Sequence, residues 1–472
     1  MLFNSIEFLI FLPLVFLLYW FVFNEKSKYQ NGLLLVASYF FYGWWSWEFL
    51  ILLAFSTLLD YLCGFYVASE KRVRAKVFLY ISVVLNLSFL ATLKYFNFFI
   101  TEFQALFSSV GISLSLPMLN IALPVGISFY TFHGMSYVFD IYSKKRAPVQ
   151  SIIDYSVFVA YFPLLVAGPI ERANHLLPQI QHARIFDYSK AVSGLRLILW
   201  GFFKKVVIAD TLSPSVDIIF SNYTDFNGGV LFLGALYFTI QIYCDFSGYS
   251  DIAIGTSKLF GIELLSNFNY PYFSKNIAEF WQKWHISLTS WFREYLYIPL
   301  GGSRGSILFS LRNIFIVFIV SGLWHGANLT FIFWGFWHAC LYVPYLLLKK
   351  SENKFSFFSS NKLHFKLKSG VQMVFTFLLV LISWVFFRSE SISNAFQYIR
   401  NMIFQIDVPN LHRSNLKYVI ILMVCDWLLR KDDRQVLQIK NKFIRWACYL
   451  ILIWFVLAHF QLNPSSFIYF QF

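Results

Sequence analysis

Apolar stretches close to the length of a bilayer crossing follow one another through most of this chain, and they restrict its architecture more than any other feature. The first is Phe8–Phe23; others cover 32–44, 48–67, 77–93, 120–142, 155–169, 193–209, 229–243, 307–323, 327–348, 369–387, 416–429 and 446–461. A helix needs about 20 mostly apolar residues to span the hydrocarbon. Some stretches are shorter, so the pattern predicts about 10–12 transmembrane helices plus re-entrant or interfacial pieces. Composition agrees: hydrophobic residues are 58% of the 472, aromatics 21% and charged residues 13%, where a soluble domain is about 25% charged. Intrinsic disorder, collagen-like repeats and a disulfide scaffold are excluded by the same figures. The expected fold class is an all-α polytopic integral membrane protein.

The net charge is +14. In a soluble protein that excess would suggest nucleic acid. Here the basic residues occupy short loops between apolar spans, where Lys and Arg mark the cytoplasmic side, and no nucleic-acid partner is expected. Lys26 and Lys28 follow the first span, and Lys71 to Lys76 and Lys144-Lys145-Arg146 come at two-crossing intervals. Arg430 to Arg445 precede the last span, whereas residues 462–472 carry no charge. Both termini are therefore expected outside, in a multi-pass protein of the cytoplasmic (inner) membrane. Glu7 stands where a signal peptide has its basic segment, and no small-residue cleavage site follows, so the first span is expected to be retained. Cys63, Cys244, Cys340, Cys425 and Cys448 form no C-x-x-C pair and read as small buried hydrophobes, with no metal site implied. No linker or short-period repeat divides the chain. A single membrane domain over 1–472 is expected, with 462–472 an aromatic tail.

Ionisable residues inside apolar segments are costly and mark functional sites by default. Ser321-Gly322-Leu323-Trp324-His325-Gly326-Ala327-Asn328 interrupts a long apolar region. Imidazole exchanges protons near neutrality, and the flanking glycines permit close approach or a helix break; the plain alternative is a hydrogen-bonded core histidine. His338 reads as structural. In Glu279 to Tyr295, the residues Trp281, Trp284, His285, Leu288, Trp291 and Phe292 recur at intervals of three and four, which predicts one aromatic helical face. An interfacial helix with a tryptophan belt explains the aromatics but leaves His285 on the apolar face unexplained. Asp245 and Asp251, around Ser247, follow an apolar span; two aspartates without histidine neighbours make a poor metal site, and both are expected to bond backbone or basic groups where the span breaks.

Read together, these segments resemble the membrane-bound O-acyltransferase family, in particular its bacterial branch that acylates exported polysaccharides such as alginate and peptidoglycan. The resemblance is carried by Leu123-Pro124-Val125-Gly126-Ile127-Ser128-Phe129-Tyr130, Ala167-Gly168-Pro169, Asp245 to Asp251, Glu279 to Leu288, Tyr295-Leu296-Tyr297-Ile298 with Gly301-Gly302, and Gly322 to Asn328. It implies a ring of helices around a thinned centre, with a central tunnel reaching the catalytic histidine, His325. His285 matches the family's second prominent histidine. Trp284, Trp324, Asn328, Asp245 and Ser247 are then expected to line the passage, and Lys283 and Arg293 either hold an anionic donor or snorkel to the interface.

The resemblance also implies the partners. No bound cofactor is expected; acetyl-CoA or another acyl thioester is the donor substrate on the cytoplasmic side. An extracytoplasmic Ser-His-Asp esterase-like protein and a polysaccharide receive the acyl group outside. Phe467-Ile468-Tyr469-Phe470-Gln471-Phe472 resembles the branch's aromatic C-terminal motif, whose tyrosine acts as acyl relay, here Tyr469; an interfacial anchor is the simpler reading of so aromatic a tail. Two other functions fit the same features: a transporter or flippase for a lipid-linked sugar, and the same fold carrying D-alanine or a lipid acyl chain.

Overall fold

In the computed structural model the apolar stretches are helical. The structure describes residues 1–472 apart from 24–25, 121–122, 167, 353–361, 406, 410, 432–433, 435, 462–466 and 469–472, with the backbone alone at 348–352 and 362–367. No strand occurs among the described residues. Among the described residues, seven helices are long and apolar enough to cross a membrane: Phe49–Val67, Arg72–Ser109, Gly228–Leu259, Ile307–His325, Leu329–Leu347, Lys368–Arg388 and Lys442–His459. The protein is an all-helical, multi-pass membrane protein. The remaining apolar stretches form shorter or broken helices. Residues 155–169, for example, divide at Tyr161, whose ψ of 114° is outside the helical range. Pro163, two residues on, has no N–H to continue the preceding helix.

The chain forms two compact units, 1–195 with 253–265 and 196–252 with 266–472. The first contains α1 (Ile6–Leu17), α2 (Ser27–Gly43), α3 (Phe49–Val67), α4 (Arg72–Leu90), α5 (Phe96–Ser109), α6 (Ile127–Tyr142), α7 (Ile152–Ala160), α8 (Phe162–Leu165), α9 (Ala173–Gln181) and the start of α10 (Tyr188–Phe202). Its helices are joined by buried polar contacts. Asp60 on α3 accepts from Ser82 Oγ at 2.6 Å and from Asn86 Nδ2 at 2.9 and 3.1 Å, both on α4. Hydrocarbon offers no hydrogen bonds, so such groups must be satisfied by the protein itself. Glu171 is fully buried and accepts the Leu265 N–H at 2.6 Å, while its other oxygen meets His175 Nδ1 at 2.8 Å.

The second unit takes the rest of α10, then α11 (Asp210–Ser221), α12 (Gly228–Leu259, ending in the first unit), α13 (Ile277–Lys283), α14 (Ile286–Phe292), α15 (Ile307–His325), α16 (Leu329–Glu352), α17 (Lys362–Arg388), α18 (Ile392–Phe404), α19 (Leu416–Leu429) and α20 (Lys442–His459). Here α15 and α16 lie in backbone contact. A Cβ on Gly322 would stand 2.2 Å from the Phe331 carbonyl oxygen, and one on Gly335 would stand 2.2 Å from that of Phe318. This is small-residue packing of the kind that holds membrane helices together. It places the end of α15, and with it His325, against α16. Gly322→Leu is therefore expected to force the two helices apart at a cost of at least about 1–3 kcal/mol. Thermal unfolding in detergent should show a clearly lowered midpoint, while Leu450→Ala on α20, where Leu450 is 65% exposed, should leave it unchanged.

Candidate active site

The stretch from Asn276 to Phe292 builds one wall of the site. Asn276 caps α13 by accepting the Glu279 N–H at 2.9 Å. Glu279 in turn pairs with Lys283 at 2.7 Å and accepts the Lys275 N–H at 2.9 Å. Burial alone would raise the Glu279 carboxyl, but these partners outweigh it and hold it below its usual value. The helix then stops. Trp284 is extended (φ −103°, ψ 127°) and His285 is left-handed (φ 43°, ψ 53°) before α14 begins. The single aromatic helical face expected from the spacing is thus corrected to two short helices with a kink at the histidine. A non-glycine residue held there costs about 1–3 kcal/mol and is typical of functional sites. The tryptophan-belt reading fails as well, since Trp281, Trp284 and Trp291 are buried at 6%, 0% and 6% exposure.

The second wall is the end of α15. His325 is its last residue, and Gly326 follows in an extended conformation (φ −164°, ψ 158°). The imidazole is 2% exposed and lies among rings, with centroids at 5.0 Å for Trp324, 5.1 Å for Trp334 and 5.5 Å for Phe387. His285, fully buried, is 6.5 Å from it. The fold therefore brings together the two histidines that lie far apart in sequence. Trp284, also fully buried, packs against Trp384 at 4.9 Å and lies one residue from His285.

A third element is α12. It runs unbroken through Asp245–Asp251, which corrects the expectation that the span breaks there. Continuity is possible because the carboxylates are neutralised in place. Lys205 bridges Asp245 at 2.6 Å and Asp210 at 2.8 Å. Lys204 reaches Asp251 at 2.7 Å and Ser247 Oγ at 2.9 Å. Asp245 also accepts the Ile468 N–H at 2.7 Å, so the C-terminal tail is anchored beside α12. Phe467 packs on Phe246 at 5.8 Å and on Tyr249 at 5.0 Å, and Phe246 stands edge-on to His285 at 4.7 Å. Tyr469 lies outside the described residues.

Other sequence-selected residues are placed differently. Asn328 accepts the Thr330 N–H at 2.9 Å and donates to the Glu390 carbonyl at 3.1 Å, so its side chain caps α16. His338 lies 3.0 Å from Ser383 Oγ and accepts from Trp281 Nε1 at 3.3 Å, a structural arrangement. Lys283 is held by Glu279, and Arg293 is exposed. Sequence reading passed over Asn267, Lys204 and Lys205. The two lysines interrupt the apolar stretch 193–209, a signal of the same kind that singled out His325. Asn267, in a polar and aromatic loop, carried no such signal.

Two buried imidazoles thus meet in an aromatic enclosure of a membrane protein. The sequence pattern of the MBOAT, membrane-bound O-acyltransferase family matches residues 126–405. The chain belongs to this family and is an O-acyltransferase, which sets aside the transporter reading. It is similar to the probable alginate O-acetylase AlgI of Pseudomonas aeruginosa, 41% identical over 88% of this chain and 78% of that protein. The same-named protein of Pseudomonas putida is 38% identical over 98% and 89%. The peptidoglycan O-acetyltransferase of Helicobacter pylori is 30% identical over 100% and 98%.

Removing one partner of a buried ion pair leaves an uncompensated charge and costs about 3–5 kcal/mol. Lys205→Met should accordingly lower the thermal midpoint sharply and expose the C-terminal tail to protease. Lys283→Met, at a half-buried pair, should do neither.

Proposed function

We propose that this enzyme takes an acetyl group from a cytoplasmic thioester, acetyl-CoA, and passes it outward for O-acetylation of an extracytoplasmic polysaccharide of the alginate or peptidoglycan kind. The observation that carries the reading is the meeting of His325 and His285 in one buried enclosure, with the tail's Ile468 bonded to Asp245 and Phe467 one ring removed from His285. The named activities of the relatives supply the acyl group and the class of acceptor.

His325 acts as general base. It takes the proton of an acceptor hydroxyl while that oxygen attacks the thioester carbonyl; the carbon–sulfur bond breaks, and the imidazolium returns the proton to the departing thiolate. Such a base contributes typically 10²–10⁴-fold. Tyr469 suits the acceptor role, because a phenol with a reference pKa of about 10 is far easier to deprotonate than a sugar alcohol, and an aryl ester is reactive enough to give the acetyl group up again. An extracytoplasmic Ser-His-Asp esterase-like partner then carries it to the polymer. This direction of transfer requires the tail outside and the protein in the cytoplasmic membrane, in keeping with the loop charges. A donor as charged as coenzyme A cannot cross hydrocarbon; only its acyl end needs to reach the histidines, through a protein-lined passage past Trp284 and Trp324.

His325→Ala should lower polymer acetylation at least about 10²-fold with membrane insertion intact, as read by acetate release from isolated polymer; unchanged acetylation refutes the base. Tyr469→Phe removes one hydroxyl and should abolish transfer to the partner. Mass spectrometry after incubation with labelled acetyl-CoA should find the label on Tyr469 in the native protein and none in this variant. Full activity of Tyr469→Phe rules the relay out.

A further inference from the structure

Asn267 is 1% exposed and ties three segments together. Its Nδ2 donates to Ser250 Oγ on α12 at 3.2 Å, and its Oδ1 accepts from Ser287 Oγ on α14 at 2.9 Å. The same Oδ1 lies 3.0 Å from His285 Nδ1, and its main-chain carbonyl accepts the Ile286 N–H at 2.9 Å. Both its backbone and its side chain thus clamp the left-handed kink at His285. An amide nitrogen engaged by Ser250 leaves the oxygen for the imidazole, and a carbonyl oxygen only accepts. Nδ1 must therefore carry the ring proton, which leaves the lone pair on Nε2. That Nε2 is buried and has no hydrogen-bond partner among the described residues. The rings around the imidazole are Phe246, Phe268, Trp324 and His325, of which His325 is the titratable one.

We infer that Asn267 is a positioning residue for the reaction: it fixes His285 as the Nδ1–H tautomer, so that Nε2 receives a hydrogen bond from a substrate N–H or O–H group beside His325. The inference rests on the reading of the two histidines as the reaction site and adds a direction to it. In this tautomer neutral His285 has no proton to offer at Nε2. It holds a donor group of the substrate, and it does not supply a hydrogen bond to the oxyanion formed at the thioester carbonyl. An imidazole whose tautomer and orientation are set by the group at its far nitrogen is a recurrent arrangement in enzyme sites.

The full-length protein in detergent, labelled with ¹⁵N at its imidazoles, tests this directly. The His285 signals, assigned by their loss in His285→Gln, should report a protonated Nδ1 and an unprotonated Nε2; the reverse pattern overturns the inference. Asn267→Leu should shift that pattern toward the other tautomer and lower acetyl turnover about 10–100-fold without lowering membrane yield. Native turnover in Asn267→Leu, with His285→Gln inactive, overturns the positioning role alone. Native turnover in His285→Gln overturns the site reading and this inference together. Should the leucine variant fail to accumulate, the spectrum of the native protein decides.

Discussion

The constraint on which this structure depends is the absence of hydrogen-bond partners in hydrocarbon. Each polar group carried into the membrane has to be satisfied by another part of the chain. Asp60 meets Ser82 and Asn86, Asp245 and Asp210 share Lys205, and Asp251 takes Lys204. These contacts are local in space and remote in sequence, and they fix how the helices of each unit are arranged. The long helix α12 shows the effect most clearly. Two aspartates in its middle do not break it, because two lysines from residues 203–209 neutralise them where they stand.

The same constraint shapes the site. Around His285 and His325 the protein places tryptophan and phenylalanine rings, which fill volume and make few polar demands. Asn267 supplies the side-chain hydrogen bonds at the kink of His285. The result is an enclosure in which both imidazoles are buried, and burial strengthens each hydrogen bond made there. The tail reaches the neighbourhood of this enclosure through Phe467 and Ile468, anchored by Asp245, so the ion network and the tail share one carboxylate.

Much of this was legible in the residues. Apolar length and low charge were enough for an all-helical membrane protein, and glycine-framed His325 and apolar-flanked His285 stood out as costly groups in the wrong solvent. The spacing of Trp281, Trp284, His285 and Leu288 misled, because periodicity records only that a helical face is possible. It does not register the kink that a buried asparagine imposes eighteen residues away in the chain. Asn328 looked like a site residue through its neighbourhood in sequence, yet its amide is spent on capping α16.

Composition and apolar length, taken alone, determined the solvent and the helical class and marked the two histidines as costly groups, since these follow from the transfer cost of each residue and need no partner. Pairing was decided only in three dimensions. Which lysine answers which aspartate, which amide holds His285, and where the tail meets α12 depend on short-range contacts of a few ångströms between segments up to 223 residues apart, and no local pattern encodes such a distance.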